Sequence, residues 1–105
     1  MSMTRPRIIC LCGSTRFKAE FEAANRDLTL DGKIVLSVGL FGHHEGLDMT
    51  GPVKANLDEL HLRKIDLADE VLVINPEGYI GESTTREIAY AESTGTPIRY
   101  LVPQG

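Results

Sequence analysis

The 105-residue sequence predicts a small three-layer α/β/α sandwich, in which helices cover both faces of a parallel sheet of four strands. Short apolar runs alternate along the chain with segments whose apolar residues recur at helical spacing, which gives the order β-α-β-α-β-α-β. Glycine or proline stands at most of the boundaries between these segments. Right-handed crossovers then give a Rossmann-like (flavodoxin-like) sheet, for which we predict the strand order 2-1-3-4.

The first half of the chain contains two predicted strands and one predicted helix. Residues 7–11 form a largely apolar run, which is typical of a strand buried on both faces. Residues 17–30 are predicted to form the first helix, and Gly32 stands where glycine usually ends a helix. Residues 33–38 are the second predicted strand. The helix prediction depends on a stripe of apolar residues, consisting of Phe17, Phe21, Ala24 and Leu28.

The second half continues the alternation. The second helix is predicted from Pro52 to about residue 67, because proline suits the first turn of a helix. Residues 70–74 are the third strand, residues 84–93 the third helix, and residues 98–102 the last strand. We find no linker or internal repeat, so we expect residues 1–105 to form one domain.

Composition limits the classes of function. The net charge of -4 argues against binding to a nucleic-acid polymer, which needs a basic face. No apolar run approaches the about 20 residues of a membrane span, and the N-terminus has no secretory pattern, so we expect a cytoplasmic protein without a membrane partner. A domain this small leaves much of its surface exposed, which makes oligomerisation plausible.

The two cysteines are predicted to be small buried hydrophobic residues. Cys10 and Cys12 are two positions apart on a predicted strand, so they point to the same face in a geometry that is poor for a mutual disulfide. A Cys-x-Cys metal site would need further ligands, and only His43, His44 and His61 are available. We therefore expect neither a metal ion nor a cofactor.

A candidate anion site follows the first strand. Gly13, Ser14, Thr15 and Arg16 stand at a strand-to-helix junction, where free N–H groups and the helix dipole attract anions. The two hydroxyl groups could donate hydrogen bonds, and the arginine could hold a phosphate through two of them. Alternatively, one hydroxyl simply caps the helix. With the predicted strand order, this loop faces residues 76–83 across the crevice between the first and third strands.

Glu87 is the candidate nucleophile. It is expected in the first turn of the third helix, at the carboxyl end of the sheet, where the helix start would keep it ionised. A carboxylate beneath an anomeric carbon can stabilise an oxocarbenium-like state or form a covalent glycosyl intermediate. The alternative is a capping box, in which Glu87 only bonds back to the N–H of Thr84.

Three segments resemble a known enzyme family. Residues 12–16 (Cys-Gly-Ser-Thr-Arg) are similar to the Cys-Gly-Ser-Ile-Arg loop of deoxynucleoside 5'-monophosphate N-glycosidases. Residues 68–73 (Ala-Asp-Glu-Val-Leu-Val) and 86–91 (Arg-Glu-Ile-Ala-Tyr-Ala) resemble two motifs of the nucleoside 2-deoxyribosyltransferase superfamily. The resemblance extends over residues 8–102, and its last motif is the most specific part.

The resemblance implies an active site for a nucleotide and a homodimeric assembly. It implies that Glu87 is the nucleophile and that residues 14–16 contact a 5'-phosphate, with Gly81 and Ser83 helping from the opposite loop. It also implies a homodimer whose sites borrow residues across the interface.

One position departs from the family pattern. The family carries an aspartate on the second helix, and the corresponding position here is His61, which shares a helical face with Ile65. A histidine could act as an acid or base, or it could be a hydrogen-bonded residue at the edge of the core. His43 lies in the long glycine-rich connection after the second strand, and we include it as a candidate substrate contact.

The predicted activity is therefore hydrolysis of the N-glycosidic bond of a nucleoside 5'-monophosphate or related nucleotide, or transfer of its sugar to another base. Glu87 and His61 are the candidate catalytic residues. The alternative is a catalytically weak module of the same fold that binds or sequesters a nucleotide-like signal, which the histidine at position 61 favours.

Overall fold

The computed structural model describes residues 5–41 and 51–104, and its centre is a parallel sheet. Four strands form this sheet in the described residues: β1 (Ile8–Gly13), β2 (Ile34–Leu36), β3 (Glu70–Ile74) and β4 (Ile98–Tyr100). Their spatial order is β2-β1-β3-β4 and every pairing is parallel, so the predicted strand order is confirmed.

Helices cover both faces of the sheet. On one face, α1 (Lys18–Leu30) packs through Phe21 and Ala24 against β1 and β3. On the other face lie α2 (Gly51–Leu67), through Ile65, and α3 (Glu82–Ser93), through Ala91. This arrangement confirms the predicted three-layer architecture.

The side chains of β1 alternate between the two cores because successive strand residues point to opposite faces. Ile9 and Leu11 pack on the α1 side, whereas Cys10 and Cys12 pack on the side of α2 and α3. All four side chains are fully buried, which confirms the predicted burial of both cysteines.

Two strands begin one residue later than predicted, and three strands end two residues away from the predicted end; hydrogen bonds explain each of these three ends. β1 continues two residues beyond Leu11, because its last residues pair with the end of β3. β2 ends before Ser37, whose carbonyl accepts a bond of 2.6 Å from Lys64 Nζ instead of joining the sheet. β4 ends before Val102, whose backbone N–H and C=O bond to the buried side chain of Asn75.

The start of α3 is the boundary that matters most for the site. The helix begins at Glu82, two residues before the predicted start, with Gly81 as its N-cap. The Gly81 carbonyl accepts hydrogen bonds from both the N–H and the Oγ1 of Thr85, at 2.9 Å each. Thr84 is therefore a buried helical residue and not the cap.

None of the described helices combines the length and the apolar character that crossing a membrane requires.

Candidate active site

A cavity of about 300 Å³ opens at the carboxyl ends of β1 and β3. This is the crevice in which open α/β sheets bind ligands, because the chain leaves the two central strands there in opposite directions. Its walls come from the β1–α1 loop, the residues after β2, one face of α2, and the loop and first turns of α3. The lining includes Gly13, Ser14, Thr15, Lys54, Asp58, His61, Lys64, Tyr79, Gly81, Ser83, Thr84 and Glu87.

Glu87 lines this cavity from the second turn of α3, not from the first turn that we predicted. Because the helix starts at Glu82, Glu87 is too far along it to bond back to Thr84, and the capping-box alternative is wrong. Burial raises the pKa of the Glu87 carboxyl group, and the positive charge of His61 opposes this effect. Glu87 thus lies beyond the first helical turn, where the helix dipole acts most strongly, and the charge that favours its carboxylate form comes from His61.

His61 is buried on the inner face of α2, as its helical phase with Ile65 predicts. Its Nε2 lies 3.4 Å from Cys12 Sγ and 3.7 Å from Cys10 Sγ. Burial lowers the pKa of His61, but the hydrogen bond with Cys10 and the charge of Glu87 raise it, and the net shift is upward. The ring therefore lies between the two cysteines on one side and Glu87 on the other, and both neighbours raise its pKa.

The two cysteines have different acidities although both are buried. A hydrogen bond from Cys12 lowers the pKa of Cys10 to about 6, and His61 adds to this effect against the penalty of burial. The same interaction with Cys10, followed by burial, raises the pKa of Cys12. Cys12 also lowers the pKa of the Glu87 carboxyl group, which links the cysteines to the cavity. The prediction of small buried hydrophobic cysteines described their burial but missed these interactions.

Asp58 is a carboxylate of the cavity wall that we did not identify in the sequence. It precedes His61 by three residues on α2, so both face the same way. Its Oδ2 lies 2.8 Å from Lys54 Nζ and 3.6 Å from Arg86 Nη2. The signal that could have revealed it is this i, i+3 spacing, which we applied only to the apolar residues around His61.

The β1–α1 loop reaches the cavity through Gly13, Ser14 and Thr15 but not through Arg16. The guanidinium carbon of Arg16 lies 4.5 Å from the centre of the Tyr79 ring, and Arg16 Nε donates to Ser14 Oγ at 3.2 Å. Tyr79 itself lines the cavity. Arg16 therefore packs on the Tyr79 ring and does not line the cavity. The sequence alone could not predict where that ring lies.

The opposite wall contains the two other predicted residues, Gly81 and Ser83. Ser83 Oγ accepts hydrogen bonds from Lys54 Nζ at 3.1 Å and from Arg86 Nη2 at 3.2 Å, so two cations meet at the start of α3. His43 lies outside the described residues.

Seven of the nine predicted site residues thus line one cavity: Gly13, Ser14, Thr15, His61, Gly81, Ser83 and Glu87. In comparisons with models of known protein families and with curated proteins, no family model and no curated protein matches the chain.

Proposed function

We propose that this protein breaks the N-glycosidic bond of a nucleoside 5'-monophosphate or a related nucleotide, with Glu87 as the nucleophile. The observation that carries the proposal is the pair of carboxyl groups, Glu87 and Asp58, on the walls of one ligand-sized cavity at the carboxyl end of the sheet. Glycosidic bond cleavage typically uses two such groups beside an oxocarbenium-like centre. The resemblance of residues 12–16 and 86–91 to the N-glycosidase and deoxyribosyltransferase superfamily supports the same chemistry.

The proposed reaction has two steps. A Glu87 carboxylate oxygen forms a bond to C1' of the sugar while the bond from C1' to the base nitrogen breaks, and the base leaves with that electron pair and takes up a proton. Water then attacks C1' of the glycosyl ester, loses a proton, and releases the sugar phosphate and the Glu87 carboxylate. If a second base attacks in place of water, the same intermediate gives transfer.

His61 supports the nucleophile through its charge in this proposal. Burial favours the protonated carboxylic acid at Glu87, which cannot attack. The positive charge of His61 opposes that effect and favours the carboxylate. Since His61 Nε2 faces Cys10 and Cys12, we assign His61 as a positioning residue and not as the acid that protonates the leaving base.

Asp58 takes the place of the second carboxylate that the resemblance leads us to expect on this helix. Its Oδ2 is held on the cavity wall by contacts with Lys54 Nζ and Arg86 Nη2, where a carboxylate can accept hydrogen bonds from a sugar hydroxyl or from the base. In this proposal the second carboxylate is therefore Asp58, one helical turn before the position at which the family carries its aspartate.

The phosphate would bind between the two loops at the other side of the cavity. Gly13, Ser14 and Thr15 approach from the β1–α1 loop, and Gly81 and Ser83 from the start of α3. Backbone N–H groups at a helix start bind phosphate oxygens, and Lys54 Nζ already lies 3.1 Å from Ser83 Oγ.

Chromatographic detection of free base tests the proposal. Purified protein is incubated with ribo- and deoxyribonucleoside 5'-monophosphates and with the matching nucleosides. Glu87→Gln keeps the shape of the side chain but cannot form the ester, so we expect base release to fall on the order of 10³-fold or more. Glu92→Gln, an exposed position at the other end of the same helix, is the matched control and should keep full activity.

The outcomes separate the candidate functions. Base release that depends on Glu87 and prefers 5'-monophosphates supports the enzyme and its phosphate loop. Release that is unchanged in Glu87→Gln would contradict the assigned nucleophile. Measurable nucleotide binding with no release from any substrate would favour the alternative, a module that binds or sequesters a nucleotide-like signal.

A further inference from the structure

Three potential metal ligands meet beneath the cavity. Cys10 Sγ, Cys12 Sγ and His61 Nε2 all lie within 4.8 Å of one another, and all three residues are buried. The two sulfur atoms come from alternate positions of β1, which direct them to the same face of the sheet. The imidazole comes from α2, which packs on that face. Two separate elements thus hold the three ligand atoms together in the folded chain.

The distances fit a tetrahedral ion. With a Zn–S bond of about 2.3 Å and a Zn–N bond of about 2.0–2.1 Å, tetrahedral coordination places sulfur and nitrogen roughly 3.5–3.6 Å apart. The observed separations from His61 Nε2 are 3.4 Å to Cys12 Sγ and 3.7 Å to Cys10 Sγ, one on each side of that value. A pair of thiolates with one imidazole is a donor set that suits Zn²⁺.

We propose that this protein binds one Zn²⁺ ion through Cys10 Sγ, Cys12 Sγ and His61 Nε2, with the fourth coordination position open toward the cavity. Binding converts both thiols to thiolates and uses the neutral imidazole, and the protons released go to solvent. The site goes beyond the proposed glycosidic chemistry and does not depend on it.

Glu87 is the residue expected beside the open coordination position of the proposed Zn²⁺ ion. His61 and Glu87 both line the cavity, and both His61 and Cys12 act on the pKa of Glu87, so its carboxyl group lies close to the three ligands. Three protein ligands plus a water molecule are the arrangement of catalytic zinc sites, whereas structural sites usually have four protein ligands. A water molecule in the open position would therefore lie beside a carboxylate that can accept its proton.

Titration with Co²⁺ alone tests the ligand set in the full-length, reduced and metal-free protein. We expect one equivalent of bound Co²⁺, with the intense visible bands of a tetrahedral site and a thiolate-to-cobalt charge-transfer band. Added Zn²⁺ should remove the colour by displacement. Competition with a chromophoric chelator then gives the Zn²⁺ affinity of each variant.

The variants identify the ligands. Cys12→Ser and His61→Gln should each weaken Zn²⁺ binding by about 100-fold or more, because each removes one of three protein ligands. Glu59→Gln, an exposed carboxylate on the same helix as His61 and outside both the cavity lining and the cluster, is the matched control and should bind Zn²⁺ like the wild type.

The wild-type spectrum keeps the proposal testable even if a variant fails to fold. The intensity of its charge-transfer band reports the number of bound thiolates. The thermal midpoint of the wild-type protein should also rise with Zn²⁺ concentration, because the ion binds the folded state. An octahedral Co²⁺ spectrum without a charge-transfer band would overturn the site. Unchanged Zn²⁺ affinity in folded Cys12→Ser or His61→Gln would overturn it equally.

Discussion

Replacing Gly13 with alanine should destabilise the protein by crowding the two central strands at the edge of the cavity. Gly13 ends β1, where it pairs with Ile74 of β3. An added Cβ would lie 2.7 Å from the carbonyl oxygen of Ile74, 3.1 Å from Ile74 Cβ and 3.3 Å from Phe21 Cε2. The nearest of these atoms belongs to the backbone of a central strand, so it cannot rotate away as the end of a side chain could.

The size of the effect follows from these distances. Ordinary contact begins at about 3.4 Å, so the strands would have to separate by about 0.7 Å at this point. Overpacking of a well-packed core costs typically 1–3 kcal/mol. We expect about 2 kcal/mol, which corresponds to a fall of roughly 8–16 °C in the thermal midpoint of a domain of this size.

Urea denaturation followed by circular dichroism measures this effect. Gly39→Ala is the matched control, because no atom of residues 5–41 or 51–104 lies within 4 Å of its added Cβ, although Gly39 also lines the cavity. We expect the control to unfold at the wild-type urea concentration or slightly above it. A midpoint for Gly13→Ala that equals that of Gly39→Ala would refute the reasoning.

Two further predictions concern buried and half-buried polar contacts. Asn75→Ala should cost about 2–3 kcal/mol, since it removes hydrogen bonds of 2.9 Å and 2.8 Å to the C=O and N–H of Val102, and urea denaturation measures the loss. Asp69→Asn should destabilise the protein at pH 7, because the Ile8 N–H and then Arg5 lower the pKa of Asp69 from its ordinary value. That contribution is present above the unfolded-state pKa and is lost as the pH falls through the folded-state pKa, so wild type and Asp69→Asn should converge in strongly acidic solution.

Each of these has a control. Asn56→Ala changes an exposed position on α2 and should alter the free energy of unfolding by less than about 0.5 kcal/mol. Asp27→Asn, which changes an exposed carboxylate on α1, should alter the free energy of unfolding at pH 7 by less than about 0.5 kcal/mol. A stability gap between wild type and Asp69→Asn that widens in acid would contradict the assigned pKa shift.

The sheet could be predicted from the sequence because its signals are local. The apolar run of β3 lies between a helix and a turn, and its bounds are confirmed without change. The alternation of strands and helices restricts the topology, and the handedness of crossovers then gives the strand order. The inward direction of His61 could also be predicted, since it needs only the 3.6-residue period and the apolar residue Ile65.

The start of α3 could not be fixed in this way. Ser83, Thr84 and Thr85 offer three hydroxyl groups within three residues, and each is a plausible N-cap by local chemistry. The protein uses none of these side chains as the cap; Gly81 is the N-cap and no side chain bonds there. A shift of two residues was enough to move Glu87 from the first turn to the second.

Contacts between distant elements were beyond local patterns as well. The approach of His61 to Cys10 and Cys12 depends on how far α2 slides along β1, which neither segment specifies alone. The position of Arg16 against Tyr79 likewise joins two loops that are far apart in the sequence. Spacing therefore identified residues that share a cavity but not the pairs of side chains that touch.

The glycosidic chemistry and the zinc site share His61 and Cys12, so their effects on each other are predictable. The two thiolates cancel the charge of the bound ion and the imidazole becomes neutral, so the complex no longer offers Glu87 the positive charge of His61. Loss of that charge raises the pKa of Glu87, so Zn²⁺ should slow base release at neutral pH, and higher pH should restore it. Glu87→Gln should abolish base release while keeping the three metal ligands, whereas Cys12→Ser should remove the inhibition by Zn²⁺. Inhibition that persists in Cys12→Ser would mean that the ion acts elsewhere.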